Sequence, residues 1–224
     1  MQQPQVGVIF CGSGRFDGSE IHESVLTLLH LSRAGAKIRC FAPDEAQFSV
    51  CEHFKGKVVE GESRNMLMEA SRIARGEIEP LSAAKTEQLD ALILPGGNGA
   101  AVNLCDFGLK GAAGTVHADL QVLLTEMADL RKPIGAICIA PAIVALALPN
   151  RNLKMTLGSA DCDAAIEASQ TGNTFSACPV DQIVCDEPHQ VVSTPAYMLG
   201  PDIAAVDRGI GLLVEKVLAW CTPR

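Results

Sequence analysis

The chain has 224 residues, 48% of them hydrophobic and 20% charged, which is enough to bury a sizeable core. A formal net charge of −8 without a basic cluster argues against a nucleic-acid partner, and no apolar run is long enough to span a membrane. The nine cysteines contain no Cys-x-x-Cys pair, so neither a disulfide framework nor a zinc site is indicated, and we predict a cytoplasmic location.

Strand-like and helix-like patterns alternate in the first half of the chain. We predict strands at 5–11, 37–42 and 89–95, helices at 20–34 and 64–75, and irregular structure at 43–62. In the helix at 20–34, hydrophobic residues recur at helical spacing, and we expect this stripe to be buried. Its members are Ile21, Val25, Leu28 and Leu29.

The alternation continues in the second half of the chain. We predict helices at 116–130, 139–148 and 202–220, and strands at 132–137, 154–157, 182–185 and 190–193. Strands separated by helices form βαβ units, so we expect a mainly parallel sheet that is covered on both faces. No repeat or linker divides the chain, and residues 1–224 are therefore predicted to form a single domain.

The most informative segment is 132–142, where a short apolar strand reaches Cys138 and an Ala-rich apolar run follows without a loop. A strand that becomes a helix at one residue must turn sharply, and the turn pushes that side chain out of the sheet edge. This is the geometry of a nucleophile elbow. The first N–H groups of the helix would favour the thiolate form of Cys138. From this segment alone, a buried structural cysteine is the alternative.

A glycine-rich turn follows the third predicted strand. In Gly96, Gly97, Asn98 and Gly99, backbone N–H groups can approach a ligand closely. The spacings of a P-loop and of a Gly-x-Gly-x-x-Gly motif are absent, which disfavours phosphate binding. A purely structural turn is the alternative. Beside an elbow cysteine, we favour an oxyanion hole formed by N–H groups of Gly96, Gly97 and Ile139.

The carboxyl ends of parallel strands meet at one sheet edge, which places the loop 12–19 and the following helix start near Cys138. Glu20 and Glu23 are three residues apart and lie on one helix face. We assign Glu20 to capping of the helix and Glu23 to a buried acid–base role, since burial against a thiolate would raise its pKa. His22 lies off that face, so capping or surface exposure is favoured over a metal cluster.

Several motifs resemble a known superfamily. Leu94-Pro95-Gly96-Gly97-Asn98 and Ala136-Ile137-Cys138 with Pro141 resemble the PfpI superfamily, the cofactor-free relatives of class I glutamine amidotransferases, and especially its Parkinson-associated deglycase branch. Other segments are similar to the bacterial ElbB proteins, the isoprenoid-biosynthesis-associated glyoxalase family. These segments are 17–23, 63–65, 178–181 and 194–198. The similarity covers essentially the whole chain.

The resemblance implies an α/β fold, namely a flavodoxin-like three-layer sandwich with a mainly parallel sheet. It also implies a nucleophile at Cys138 and a partner glutamate at Glu23. Many superfamily members place a histidine after the nucleophile or in the strand downstream, whereas this chain has Ile139 in the first position and no histidine near 156–158. A Cys–His–acid triad therefore cannot be carried over, which disfavours protease or glutaminase activity.

We predict a glutathione-independent glyoxalase that needs no cofactor and no metal. Cys138 would form a hemithioacetal with methylglyoxal or glyoxal, and Glu23 would move a proton between the two carbons to give lactate or glycolate. The candidates for orienting the substrate are Glu20, Arg64, Asn98 and Tyr197.

Two other functions remain open from the sequence. One is a redox-sensing or chaperone-like protein with a reactive cysteine, and the other is an amidotransferase-like subunit that delivers ammonia. The predicted partner is a small reactive aldehyde rather than a nucleic acid or a membrane. A homodimer is the expected assembly, since two-fold dimers are the commonest oligomers.

Overall fold

A seven-stranded sheet forms the centre of the computed structural model, which describes residues 3–200 and 202–221. The described residues contain eleven strands in all, of which seven form this sheet. They are β1 (Gln5–Ile9), β2 (Lys37–Ala42), β3 (Cys51–Glu52), β4 (Lys57–Val58), β5 (Ile78–Pro80), β6 (Ala91–Leu94), β7 (Ile134–Ile137), β8 (Lys154–Met155), β9 (Thr174–Phe175), β10 (Val184–Asp186) and β11 (Val191–Thr194). The central sheet has the order β10-β11-β7-β6-β1-β2-β5, and its strands are parallel except β10, which runs antiparallel to β11. Two small pairs, β3–β4 and β8–β9, lie outside it.

Helices cover both faces of the sheet. They are α1 (Ile21–Arg33), α2 (Met66–Ile73), α3 (Ala100–Asn103), α4 (Phe107–Lys110), α5 (Ala118–Asp129), α6 (Ala140–Ala147), α7 (Asp163–Ser169) and α8 (Ile203–Trp220). Two hydrophobic clusters form the core, one between the sheet and α1 with α8, the other between the sheet and α5 with α6. The predicted three-layer α/β sandwich is confirmed. Within the described residues, no helix has both the length and the apolarity needed to cross a membrane.

The middle strands explain where the site lies. Every residue of β6 and β7 is buried, as expected for parallel strands covered on both faces. Because β1, β6 and β7 are neighbours and run parallel, the chain leaves all three at the same edge of the sheet, after Ile9, Leu94 and Ile137. This confirms the predicted convergence of the first loop, the glycine-rich turn and Cys138.

Helix α1 corrects the predicted hydrophobic stripe. Ile21, Val25 and Leu29 are 43%, 47% and 37% exposed, and Leu28 is only partly buried. The buried face is instead formed mainly by polar side chains: Glu23, Ser24 and Thr27, together with Leu31. The hydroxyls can be buried because each donates to a carbonyl one turn earlier, Ser24 to Glu20 (2.6 Å) and Thr27 to Glu23 (2.7 Å).

Short elements account for the other differences from the predicted order. The segment 43–62, expected to be irregular, contains β3 and β4, and the connection after β6 contains α3 and α4. The pattern also did not predict β5, α7 and β9. Most of these elements have two to four residues, which is too short for a hydrophobic period to be visible.

Candidate active site

Cys138 occupies a strained turn between β7 and α6. Its φ is 60°, in the left-handed region that non-glycine residues seldom adopt, and its N–H donates to the Thr194 carbonyl (3.0 Å). Ile139 caps α6, and Pro141 lies in the first turn of that helix, where an N–H would have no intrahelical partner. The predicted elbow geometry is confirmed.

Glu23 lies fully buried beside this turn. One carboxyl oxygen, Oε2, accepts a hydrogen bond from the Gly96 N–H (2.8 Å). The other oxygen, Oε1, has no hydrogen bond of regular geometry among the described residues. The Cys138 thiol and the Tyr197 N–H are near enough to the carboxyl to shift its pKa. The structure therefore places an incompletely satisfied carboxyl against the thiol.

Burial raises the pKa of Glu23 to about 7, and the nearby Glu20 carboxylate adds to this shift. The N–H groups of Gly96 and Tyr197 and the Cys138 thiol act in the opposite direction, but burial outweighs them. The predicted upward shift is confirmed. A carboxyl with this pKa can both accept and return a proton near neutral pH.

The protonation of Cys138 differs from the sequence-based expectation. Burial raises the pKa of the Cys138 thiol well above its ordinary value, and Glu23 raises it further. The N–H groups of Gly97 and Ile139 lower the pKa, but their effect is smaller. The N–H at the start of α6 thus favours the thiolate in the expected direction, but burial and Glu23 outweigh it and favour the protonated thiol.

The three residues expected to form the oxyanion hole have different roles. The N–H groups of Gly97 and Ile139 point toward the Cys138 sulfur, so their use as oxyanion donors stays a prediction. The assignment of Gly96 is wrong, because its N–H already donates to Glu23 and its carbonyl accepts from the Glu20 N–H (3.0 Å).

The glycine-rich turn packs closely against Cys138 and against the backbone of the loop that follows β1. A Cβ on Gly96 would lie 2.7 Å from the Cys138 Cβ, closer than any side chain tolerates. A Cβ on Gly99 would overlap the backbone of Gly18 in the loop that follows β1. Gly97 adopts a φ of 105°, which also requires glycine. The turn is thus both structural and part of the site.

A pocket of about 550 Å³ opens above the thiol. Its lining residues are Arg15, Phe16, Glu20, His22, Gly97, Asn98, Cys138, Tyr197, Met198 and Gly200. Of the four predicted substrate-orienting residues, Glu20, Asn98 and Tyr197 line the pocket. The prediction for Arg64 is wrong, because this side chain lies away from the pocket beside the carboxylates of Glu62 and Glu69.

Glu20 both caps helix α1 and lines the pocket. It is the N-cap of α1, and its Oε2 accepts from the Glu23 N–H (2.8 Å), which confirms the predicted capping role. It also lines the pocket, where its negative charge contributes to the raised pKa of Glu23.

The sequence placed the loop 12–19 and the start of α1 near Cys138, but it did not single out Arg15, Phe16 and His22 as pocket residues, and it did not place Met198 there. His22 is exposed, as predicted, but its Nδ1 also shares a hydrogen bond with the Tyr197 hydroxyl (2.7 Å) across a separation of 175 residues. No local pattern signals a contact of this range. In the described part of the chain, no group of three or more His, Cys, Asp or Glu side chains is arranged to hold a metal ion.

Two known proteins are similar in sequence to this chain over nearly its full length. The chain is 40% identical to human "Glutamine amidotransferase-like class 1 domain-containing protein 3, mitochondrial", over 96% of this chain and 82% of that protein. It is 37% identical to the rat "ES1 protein homolog, mitochondrial", over 96% and 83%. No protein-family model matches the chain.

Solved structures are similar over nearly the full length. A crystal structure of an "isoprenoid biosynthesis protein with amidotransferase-like domain" from Ehrlichia chaffeensis superposes with a TM-score of 0.91 at 32% identity, covering 98% of this chain and 100% of that one. Drosophila melanogaster DJ-1beta superposes with a TM-score of 0.55 at 18% identity, covering 96% and 94%, which supports the fold alone.

The parallel α/β sandwich and the likeness to these relatives place the chain among the class I glutamine amidotransferase-like proteins. Within that class, the chain belongs to the family of glutamine amidotransferase-like class 1 domain-containing protein 3 and the ES1 proteins.

Proposed function

We propose that this protein is a cofactor-independent glyoxalase that converts 2-oxoaldehydes such as methylglyoxal or glyoxal to 2-hydroxy acids. The observation that carries the proposal is the contact between the buried Glu23 carboxyl and the Cys138 thiol next to an open pocket. We further propose that the chain lies on the ElbB side of the superfamily and acts in the cytoplasm, although the names of its human and rat relatives place those proteins in mitochondria.

The first step is addition of the thiol to the aldehyde. Glu23 accepts the Cys138 proton while the sulfur forms a bond to the aldehyde carbon, C1. The carbonyl oxygen gains the electron pair of the π bond, and the N–H groups of Gly97 and Ile139 stabilise it. Return of the proton from Glu23 to this oxygen gives a neutral hemithioacetal and leaves Glu23 ionised.

The second step moves hydrogen between carbons. The Glu23 carboxylate removes the proton from C1 to form an enediol and then delivers a proton to C2. C1 becomes a thioester carbonyl and C2 a secondary alcohol (a primary one for glyoxal), so one carbon is oxidised as its neighbour is reduced. Water then attacks the thioester, the C–S bond breaks, the 2-hydroxy acid leaves and the thiol regains its proton. No external oxidant or reductant enters this balance.

The surroundings of the thiol favour this chemistry over amide hydrolysis. Hydrolysis of an amide requires a group that protonates the leaving amine, a task performed by histidine in Cys–His enzymes. Here the groups that act on Cys138 are Glu23 and two backbone N–H groups, while His22 is hydrogen-bonded to Tyr197. An aldehyde needs no leaving group in the addition step.

The test is turnover by metal-free protein. Purified protein treated with a chelator is incubated with methylglyoxal, and lactate is measured by nuclear magnetic resonance. We expect lactate from the wild type and none from Cys138→Ala. Absence of lactate above the Cys138→Ala background would overturn the proposal.

A further inference from the structure

The pocket above Cys138 is much larger than the smallest substrates of the proposed reaction. Its volume of about 550 Å³ falls within the range of roughly 300–1,000 Å³ found for pockets that enclose drug-sized ligands. Methylglyoxal has three carbons and two oxygens and would leave most of this space empty. The pocket therefore has room for an aldehyde that carries a further group.

Arg15 brings a positive charge to this space. It lines the same pocket as Cys138, and among the described residues no Asp or Glu carboxylate forms an ion pair with it. Arg33, Arg75 and Arg131 also form no ion pair within the described residues, but Arg15 is the arginine that lines the pocket of Cys138. Its guanidinium group is therefore available to an anion from outside the chain.

The backbone of Arg15 is fixed by its neighbours, and its exposed side chain lies against an adjacent ring. The guanidinium carbon lies 4.3 Å from the centre of the Phe16 ring, so the side chain rests on an aromatic face. The Arg15 carbonyl accepts a hydrogen bond from the Asn98 N–H (2.7 Å), which ties the first loop to the glycine-rich turn. The neighbouring Asp17 is buried and accepts from the Cys51 N–H (2.6 Å). These contacts restrain Arg15 at the pocket wall.

We propose that Arg15 binds an anionic group on the substrate, a carboxylate or a phosphate, so that the preferred substrates are 2-oxoaldehydes with a negatively charged tail. This inference rests on the proposed glyoxalase function. A guanidinium can hold either anion with two parallel hydrogen bonds, and the Asn98 side chain lies in the same pocket to add a donor.

The other charges of the pocket decide where the tail lies. Glu20 also lines the pocket, and its carboxylate, which already caps α1, would repel an anion placed beside it. We therefore place the anionic group against Arg15 and Asn98 rather than beside the Glu20 carboxylate. The tail takes no part in bond making, so the addition, proton transfer and hydrolysis steps are unchanged.

The kinetic test compares three aldehydes. Methylglyoxal is neutral, 4,5-dioxopentanoate carries a carboxylate, and 3-phosphooxy-2-oxopropanal carries a phosphate. We expect kcat/KM of the wild type to be at least 10-fold higher for one or both anionic aldehydes than for methylglyoxal, with the difference mainly in KM. The two anionic aldehydes distinguish the carboxylate from the phosphate as the natural group.

Variants assign the preference to Arg15. Arg15→Gln should bring the ratio of anionic to neutral kcat/KM close to one, and Arg15→Lys should restore part of it. Arg33→Gln makes the same change of charge at an exposed position in the last turn of α1 and should keep the wild-type ratio. A wild-type ratio near one, or a ratio that Arg15→Gln leaves unchanged, would overturn the inference while the glyoxalase function stands.

A binding measurement keeps the inference testable without turnover. Calorimetric titration with 4-oxopentanoate and with inorganic phosphate should show binding of at least one of them to the wild type and Arg33→Gln but not to Arg15→Gln. Lack of turnover with all three aldehydes would refute the glyoxalase function. Lack of binding of both probes to the wild type would refute the anion site.

Discussion

The carboxyl of Glu23 contacts the thiol of Cys138 in a place where neither group is accessible enough for water to screen their charges. The two groups therefore titrate as a pair, and ionisation of one opposes ionisation of the other. Burial raises the pKa of both groups, and Glu23 raises the pKa of the Cys138 thiol further, whereas the thiol lowers the pKa of Glu23. Because the pKa of Glu23 is about 7, a large share of this carboxyl is ionised at neutral pH and can act as a base while the thiol keeps its proton.

Substitution of the two first-turn acids separates chemistry from capping. Glu23→Gln should keep the fold, because a neutral amide replaces a carboxyl that is mostly protonated below pH 7, but turnover should fall by about 10²–10⁴-fold. Glu20→Gln should retain turnover and lose about 0.3–1 kcal/mol of stability, since it weakens the electrostatics of the α1 start. Lactate assays and urea denaturation of both variants provide the check. Retained turnover in Glu23→Gln with loss in Glu20→Gln would reverse the assignment.

The stability of the protein should depend on pH through Glu23. Below pH 4.5 the carboxyl is protonated in both folded and unfolded chains, so its titration favours neither. Between pH 4.5 and about 7 only the folded chain retains the proton, and stability falls as pH rises until the carboxyl ionises in both states. The loss amounts to about 3 kcal/mol.

Urea denaturation of the wild type and Glu23→Gln between pH 4 and 8 isolates this contribution, because the other titrating groups are common to both proteins. The free energy of unfolding of the wild type should decline relative to that of the variant across this range. Parallel curves would contradict the raised pKa of Glu23.

The reactivity of Cys138 should increase when Glu23 loses its charge. At pH 8.5 the Glu23 carboxylate opposes thiolate formation, so Glu23→Gln should alkylate faster with iodoacetamide at Cys138 than the wild type does. Mass spectrometry of the Cys138 peptide separates this cysteine from the other eight. A rate equal to or below that of the wild type would contradict the coupling.

Mass spectrometry of the Cys138 peptide after treatment with hydrogen peroxide tests the redox-sensor hypothesis. Because burial and Glu23 keep the Cys138 thiol protonated, we expect slow sulfenylation of the wild type at pH 7. Rapid sulfenylation together with negligible aldehyde turnover would favour a sensor.

The backbone strain at Cys138 should be visible in the stability of two variants. A side chain in the left-handed region costs about 1–2 kcal/mol relative to glycine, so Cys138→Gly should be more stable than Cys138→Ala by about 1 kcal/mol. The control is Ala145→Gly within α6, where glycine should destabilise the protein. Equal stability of the two Cys138 variants would show that the elbow carries no strain.

The parts of the fold that the sequence predicts well are continuous apolar segments. The strands β6 and β7 and the helix α6 consist almost entirely of buried hydrophobic residues, so their type and order were readable. Helix α1 was misread because its buried face is polar. Ser24, Thr27 and one oxygen of Glu23 form hydrogen bonds that a hydrophobic pattern cannot represent.

The residues of the candidate site were predictable where the neighbouring sequence determines their position. Cys138 follows from the direct passage of a strand into a helix, and Glu23 from its place at the start of α1. The contribution of Gly96 was misassigned because its single N–H had two plausible acceptors, and only the structure shows that Glu23 takes it. The approach of the loop 12–19 and of the start of α1 to Cys138 was predicted, but the hydrogen bond of His22 to Tyr197 joins segments 175 residues apart, which spacing does not encode.

The backbone contact between Gly18 and the turn at Gly97 and Gly99 limits which positions of the protein can be varied. No residue other than glycine fits at these positions, so a library that varies them would mostly yield misfolded protein. Phe16 and Met198 line the same pocket with side chains and do not take part in the glycine contact. Changes of substrate range should therefore be sought at these two positions, with the glycine contact left as the fixed frame of the design.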